Sequence, residues 1–275
     1  MATAQNGDVE IYYESFGDPG DPTLVLINGL GSQCINYPVE WCELFVGEGY
    51  RVIRLDNRDV GLSSKLDGVP YTPSDMANDV IAVVDAEGVG RAHVMGLSMG
   101  GMIVQQLAID HADRLLTMTS VMSRTGEPGF GDSTPEALAF LTGPPATSRD
   151  EYIESHVAAL KVYGSKPEWL DDDVSRARAA AAYDRCFCPE GIGRQMQAVM
   201  AGGSRDEGLR NVRLPALVLH GSRDTLIDPS GGRHTAEVIP NARFVEIEGM
   251  GHDYPPAVWK EWVSIWSGFV SDAND

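Results

Sequence analysis

Ser98 stands in the string Gly96-Leu97-Ser98-Met99-Gly100, a G-x-S-x-G pattern. An apolar run of strand length, Ala92–Leu97, precedes it, and an apolar segment of helical length, Met99–Ile109, follows. A chain that turns from strand to helix around one residue brings backbones together, so side chains at positions 96 and 100 would collide. The turn predicts a strained serine at the carboxyl edge of a sheet and the amino end of a helix, where amide groups and the helix dipole favour developing negative charge. Such a serine can act as a nucleophile once a base and an acid arrive from elsewhere.

Two further loops offer those partners. LPALVLHG leads into Ser222-Arg223-Asp224, and ARFVEIEG leads into Met250-Gly251-His252. The resulting order Ser98, Asp224, His252 has a known division of labour: the serine attacks, the histidine moves the proton, and the aspartate fixes the imidazole tautomer and stabilises its charged form. Histidine suits the task because its unperturbed pKa, about 6.5, lies near working pH. An oxyanion hole needs two donors, and these are expected to be the amides of Met99 and of Leu30, in the loop Asn28-Gly29-Leu30-Gly31. Gly29 and Gly31 would let that backbone approach the substrate.

Competing residues have plainer roles. Asp228 precedes Pro229 and is expected to cap the following helix. His93 and His220 fall on apolar strands and are read as satisfied core groups, while His111, His156 and His234 fall on predicted helices. Asp253, adjacent to His252 on a loop, is not expected to face it. Of the methionines near the proposed site, Met95, Met99, Met102 and Met118 are assigned mostly to packing, and Met122 and Met250 to substrate-pocket walls. Arg58-Asp59-x-Gly61-x-Ser63 is read as an Arg–Asp pair and turn that hold a loop together. Gly29-x-Gly31 followed by Asp56 carries Cys34 where a dinucleotide site would need its third glycine, so that site is rejected.

The elements that must position these residues follow in order. Val9–Phe16 is a predicted strand and Thr23–Ile27 a fully covered one, followed by a helix over Tyr37–Glu48 and a strand at Arg51–Leu55. Thr72-Pro73-Ser74-Asp75 starts a helix that Gly88 stops. Leu116–Met122 is another strand. From about Arg124 to Arg210 the alternation gives way to helical pieces near 148–163, 171–185 and 190–202, then resumes with Leu214–His220, Pro229–Val238, Ala242–Ile247 and a helix near Ala257–Val270. The pattern predicts an α/β protein with a mostly parallel sheet, helices on both faces and ligands outside the carboxyl ends of the strands. Residues 1–123 and 211–275 would form the core, with 124–210 a helical cap inserted after the strand near 116–122.

The 275 residues carry 21 Lys+Arg against 40 Asp+Glu, a formal charge of −19 that argues against nucleic acid or an anionic membrane as partner. No apolar leader or span is visible, so a cytoplasmic protein is expected, with oligomeric state unread. The four cysteines, Cys34, Cys42, Cys186 and Cys188, lack zinc spacing and are expected to be free thiols that hold no metal.

The strings RLDNRDVGLSS, GRAHVMGLSMGG and PNARFVEIEGMGH resemble the α/β-hydrolase fold superfamily, in particular the esterase branch that includes aclacinomycin methylesterase and its bacterial relatives. The resemblance runs nearly end to end. It implies cofactor-free hydrolysis of a carboxylic ester by Ser98, Asp224 and His252. Many relatives carry His-Gly where this chain has Asn28-Gly29, and the asparagine is expected to order the loop by hydrogen bonds. Carbon–carbon bond hydrolases and perhydrolases use the same triad on the same fold, and some members are ligand receptors with little turnover. The intact Ser, Asp, His order disfavours a receptor.

Overall fold

The computed structural model describes residues 2–274. The chain runs β1 (Ala2–Asn6), β2 (Val9–Phe16), β3 (Thr23–Ile27), α1 (Val39–Gly47), β4 (Arg51–Leu55), α2 (Pro73–Ala86), β5 (Ala92–Leu97), α3 (Met99–Asp110) and β6 (Leu115–Val121). Five helices follow, α4 (Pro135–Thr142), α5 (Arg149–Tyr163), α6 (Asp172–Arg185), α7 (Pro189–Ala201) and α8 (Asp206–Leu209). β7 (Ala216–Gly221), α9 (Ser230–Val238), β8 (Arg243–Ile247) and α10 (Trp259–Asn274) complete it.

All five residues of β3 are buried, which requires cover on both faces of the sheet. Val25 and Ile27 point into one core cluster and Leu24 and Leu26 into the other, as the two-residue period of a strand dictates. The first cluster is closed by Met76, Val80, Val83, Ile103 and Leu107 from α2 and α3. The second is aromatic: Trp41 and Phe45 of α1 meet at 4.8 Å edge to face, and Phe45 meets Trp266 of α10 at 5.3 Å. Each such side chain contributes roughly 1.5–3 kcal/mol on burial. The eight strands form one sheet in the order β1-β2-β4-β3-β5-β6-β7-β8, antiparallel at β1–β2 and β2–β4 and parallel elsewhere. The fold is therefore α/β with helices on both faces.

Local chemistry explains the boundaries. Thr72 caps α2 in a capping box with Asp75, with Pro73 in the first turn, as the sequence predicts. The helix expected over Tyr37–Glu48 begins only at Val39, after Pro38, and Tyr37 instead buries its ring and donates its hydroxyl to Ile27 O at 2.9 Å. β1 was not anticipated. It pairs with β2 through the two-residue Gly7-Asp8 turn, where Gly7 alone has positive φ, +60°, the backbone of a hairpin with glycine at its first turn position. α4 and α8 were also not anticipated, and they add two helices within the expected insert between β6 and β7. No helix among the described residues is long and apolar enough to cross a membrane.

Candidate active site

Ser98 has φ 55° and ψ −116°, a conformation outside the ordinary regions for a residue with a side chain. The neighbouring glycines make this turn possible. A Cβ on Gly96 would stand 2.0 Å from Gly100 O, and one on Gly100 would stand 2.1 Å from Ile27 O. Three hydrogen bonds hold the strained residue: Ser98 N donates to Val121 O at 2.9 Å, and Ser98 O accepts Met102 N at 3.2 Å and the Ser123 hydroxyl at 2.8 Å. The serine is half-buried at the amino end of the twelve-residue α3, where the helix carries roughly half a positive charge.

The loop after β3 passes beside it. A Cβ on Gly29 would lie 3.2 Å from Ser98 Cβ, so the two backbones are in close approach. Among the described residues, the amides of Leu30 and Met99 donate to no protein acceptor. Gly31 has φ +68°, and its amide donates to Gln195 Oε1 on α7 at 2.9 Å. Asn28 differs from the expectation. Its fully buried side-chain amide has no partner among the described residues, and the loop is ordered instead through its carbonyl, which accepts Asn57 Nδ2 at 3.0 Å.

Asp224 and His252 sit at the ends of β7 and β8, and His252 Nδ1 lies 2.7 Å from Asp224 Oδ2. Asp224 Oδ1 accepts the amides of Leu226 and Ile227, each at 2.9 Å. Burial alone would push the pKa of this carboxyl up, but the imidazoles of His252 and His220 outweigh it and leave the pKa below the usual value. His220 is the residue that sequence reasoning missed. Its Nε2 is 2.8 Å from Ile227 O and 3.3 Å from Asp224 Oδ2. A carbonyl only accepts, so Nε2 carries the proton and donates to Ile227 O, with Asp224 Oδ2 close beside the same N–H.

The competitors lie elsewhere. Asp228 accepts Ser230 N at 2.9 Å, a turn just ahead of α9, whose cap position is Pro229 rather than Asp228. Asp253 Oδ1 accepts the Ser165 hydroxyl and amide. His93 bonds Thr117, His111 bonds Asn78 and His234 bonds Asp206. Met122 and Met250 are buried in the aromatic cluster at 2% and 0% exposure, so core packing surrounds their thioethers. The expected Arg58–Asp59 pair does not form. Arg58 binds Asp79 at 2.6 and 2.7 Å, and Asp59 binds Arg194 of α7 at 3.0 and 2.8 Å. Thus Asp59 ties the insert to the core, as does Asp56, 2.7 Å from Arg185 of α6. The insert and the Gly31 loop enclose a cleft lined by Gln33, Val60, Tyr152, Phe187 and Ile192. All four cysteines are free, and no group of three or more His, Cys, Asp or Glu among the described residues could hold a metal ion.

Comparison with known proteins bears on the fold and the family. Residues 22–254 match the alpha/beta hydrolase fold family. A rhodomycin D methylesterase, DnrP of Streptomyces peucetius, is 34% identical over 92% of this chain and 92% of its own. The solved structure of Est816, described as an N-acyl homoserine lactone degrading enzyme, is 27% identical with a TM-score of 0.79 and covers 98% of this chain and 100% of that one. The esterase RhEst1 from Rhodococcus sp. ECU1013 is 26% identical with a TM-score of 0.79 and covers 98% of both chains. On a family match across most of its length and a relative aligned nearly end to end, the chain belongs to the alpha/beta hydrolase fold family, among its carboxylic ester hydrolases.

Proposed function

We propose that the protein cleaves a small or medium carboxylic ester through an acyl-enzyme on Ser98. Ser98 Oγ adds to the ester carbonyl as His252 Nε2 takes its proton, and the amides of Leu30 and Met99 receive the oxyanion. The tetrahedral intermediate collapses, the carbon–oxygen bond to the leaving group breaks, and His252 returns the proton to the departing alcohol. Water then adds to the acyl-enzyme with His252 as base, releasing the acid and restoring Ser98. Gly29 leaves room for the acyl carbonyl beside the serine, Gly31 lets Ile192 of the insert pack against the same loop, and residues 124–210 act as the cap that shapes the pocket.

The observation that carries this proposal is the 2.7 Å bond between His252 Nδ1 and Asp224 Oδ2. A buried, ionised Asp224 fixes the proton on Nδ1 and leaves Nε2 free as the base. The net charge of −19 disfavours polyanionic substrates. The Streptomyces relative is a methylesterase, so neutral methyl esters are natural first substrates.

Burst kinetics with p-nitrophenyl esters of graded acyl length test the proposal on the parent and on Ser98→Ala, Asp224→Ala and His252→Ala. The parent should show a burst that Ser98→Ala abolishes, with the other two severely slowed, and the optimum chain length sizes the pocket. Turnover untouched by Ser98→Ala would overturn the assignment.

A further inference from the structure

The last turn of a helix leaves carbonyls without helical partners, and at the end of α5 these are taken up by the two loops of the candidate site. Val162 O accepts the Thr225 hydroxyl, next to Asp224, at 3.1 Å. Tyr163 O accepts the His252 amide at 2.6 Å. Past Gly164 the chain runs alongside the histidine loop, and Lys166 N donates to Gly249 O at 2.8 Å. Between these two backbone bonds lies Ser165, only 2% exposed. Its amide and hydroxyl both donate to Asp253 Oδ1, at 2.8 and 2.5 Å, and its hydroxyl oxygen accepts the Gly251 amide at 3.0 Å.

The contact is backbone against backbone. A Cβ on Gly251 would stand 2.2 Å from Gly164 C and 2.4 Å from Tyr163 O, so glycine at 251 is what lets the insert come this close. The Tyr163 ring then meets the His252 imidazole edge to face at 6.0 Å. Asp224 holds one nitrogen of the imidazole ring, whereas the bonds to Tyr163, Ser165 and Lys166 hold the main chain on both sides of it.

We propose that Ser165 is a positioning residue for His252: through Asp253 and the Gly251 amide it fixes the loop that carries the base, so that the insert as well as the core sets the place of the imidazole. This role rests on His252 being the general base. A displacement of about 1 Å at such a group can cost roughly a hundredfold in rate, and a single buried serine that bonds the residues before and after the histidine is placed to prevent it.

The test compares the parent with Ser165→Ala, Ser165→Thr and Asp253→Ala. The readouts are kcat and KM for p-nitrophenyl acetate, the rate at which a p-nitrophenyl phosphonate labels Ser98, and the thermal unfolding midpoint. Ser165→Ala should lower kcat and the labelling rate together by about tenfold or more while KM shifts less than about threefold. Ser165→Thr keeps the hydroxyl and should restore most of the rate. Asp253→Ala removes both bonds that Ser165 donates to Asp253 and leaves the Gly251 amide bond in place; it should lower kcat in the same direction, which keeps the test open if Ser165→Ala does not fold. An unchanged kcat in Ser165→Ala overturns the role, as does a loss that Ser165→Thr shares and that follows the unfolded fraction. A parent that turns over ester but is never labelled at Ser98 overturns the nucleophile assignment instead, and this role with it.

Discussion

Three donors converge on the carboxylate of Asp224, two amides from its own loop and the imidazole of His252, and the His220 imidazole stands beside it with Nε2 3.3 Å from Oδ2. That arrangement keeps the group ionised despite its 2% exposure, which is the condition for it to stabilise an imidazolium. Asp224→Asn should therefore lower kcat by about 10⁴-fold with little change in stability, because an amide can turn its NH2 toward His252 and favour the wrong tautomer. A fall of less than tenfold, measured on well-folded protein, would remove Asp224 from the mechanism. Ser98, Asp224 and His252 were legible in the sequence because each is announced by its own strand end. His220 was half legible, four residues before Asp224, but that spacing becomes a contact only because the chain turns back past Ile227. Gln195 had no local signal, since 164 positions separate it from the Gly31 amide it holds.

At the scale of elements, the sheet and its helices were readable from periodicity, and the errors have physical causes. α4 begins at Thr134-Pro135, the same Thr-Pro signal that marks α2, but only Ala137 of its residues is buried, so it shows almost no core-facing stripe. How the insert is held could not be read. Arg58 and Asp59 are adjacent in sequence, yet each pairs with a different element, and the helical pattern of α7 does not show which loop Arg194 reaches. Burial pushes the Asp59 pKa up, but the Arg194 guanidinium and the Leu66 amide outweigh it and hold it below the usual value. Arg194→Leu strands that buried carboxylate and should cost about 3 kcal/mol in denaturant unfolding, with faster tryptic cleavage within 124–210. Adding Asp59→Asn should recover much of the loss, since the uncompensated charge is then gone. If the double variant is as unstable as the sum of the single ones, the pair is not coupled.

Over the whole molecule, two cores share one sheet, and the groups buried between its layers decide how stability responds to acid. His93 of β5 packs edge to face against the rings of Tyr50 and Trp266, at 5.8 and 5.6 Å, with Nδ1 2.9 Å from Thr117 Oγ1. Burial, aided by Arg91, lowers its pKa to about 4. Between roughly pH 6.5, the ordinary histidine value, and about 4, the unfolded chain binds a proton that the folded chain refuses. Stability must therefore fall as pH drops through that window, because the state that binds more protons gains. From pH 7 to 4.5 the expected loss from this one residue is about 2 kcal/mol, a sizeable part of the roughly 5–15 kcal/mol of a typical domain. Other titrations run alongside it. Asp59, with its lowered pKa, loses its contribution only below the ordinary aspartate range, while Asp79 and Asp253, raised chiefly by burial, favour the folded state as they protonate. Protonation of surface carboxylates also relieves the repulsion of a chain carrying −19. All of these act equally in His93→Asn, which keeps a polar atom for Thr117 but does not titrate. Urea unfolding of both proteins at pH 7 and 4.5 thus isolates the histidine: the parent should lose about 2 kcal/mol more than the variant. Parallel losses in the two would mean that His93 takes up its proton in the folded protein, and that the layer between β5 and α10 admits a charge.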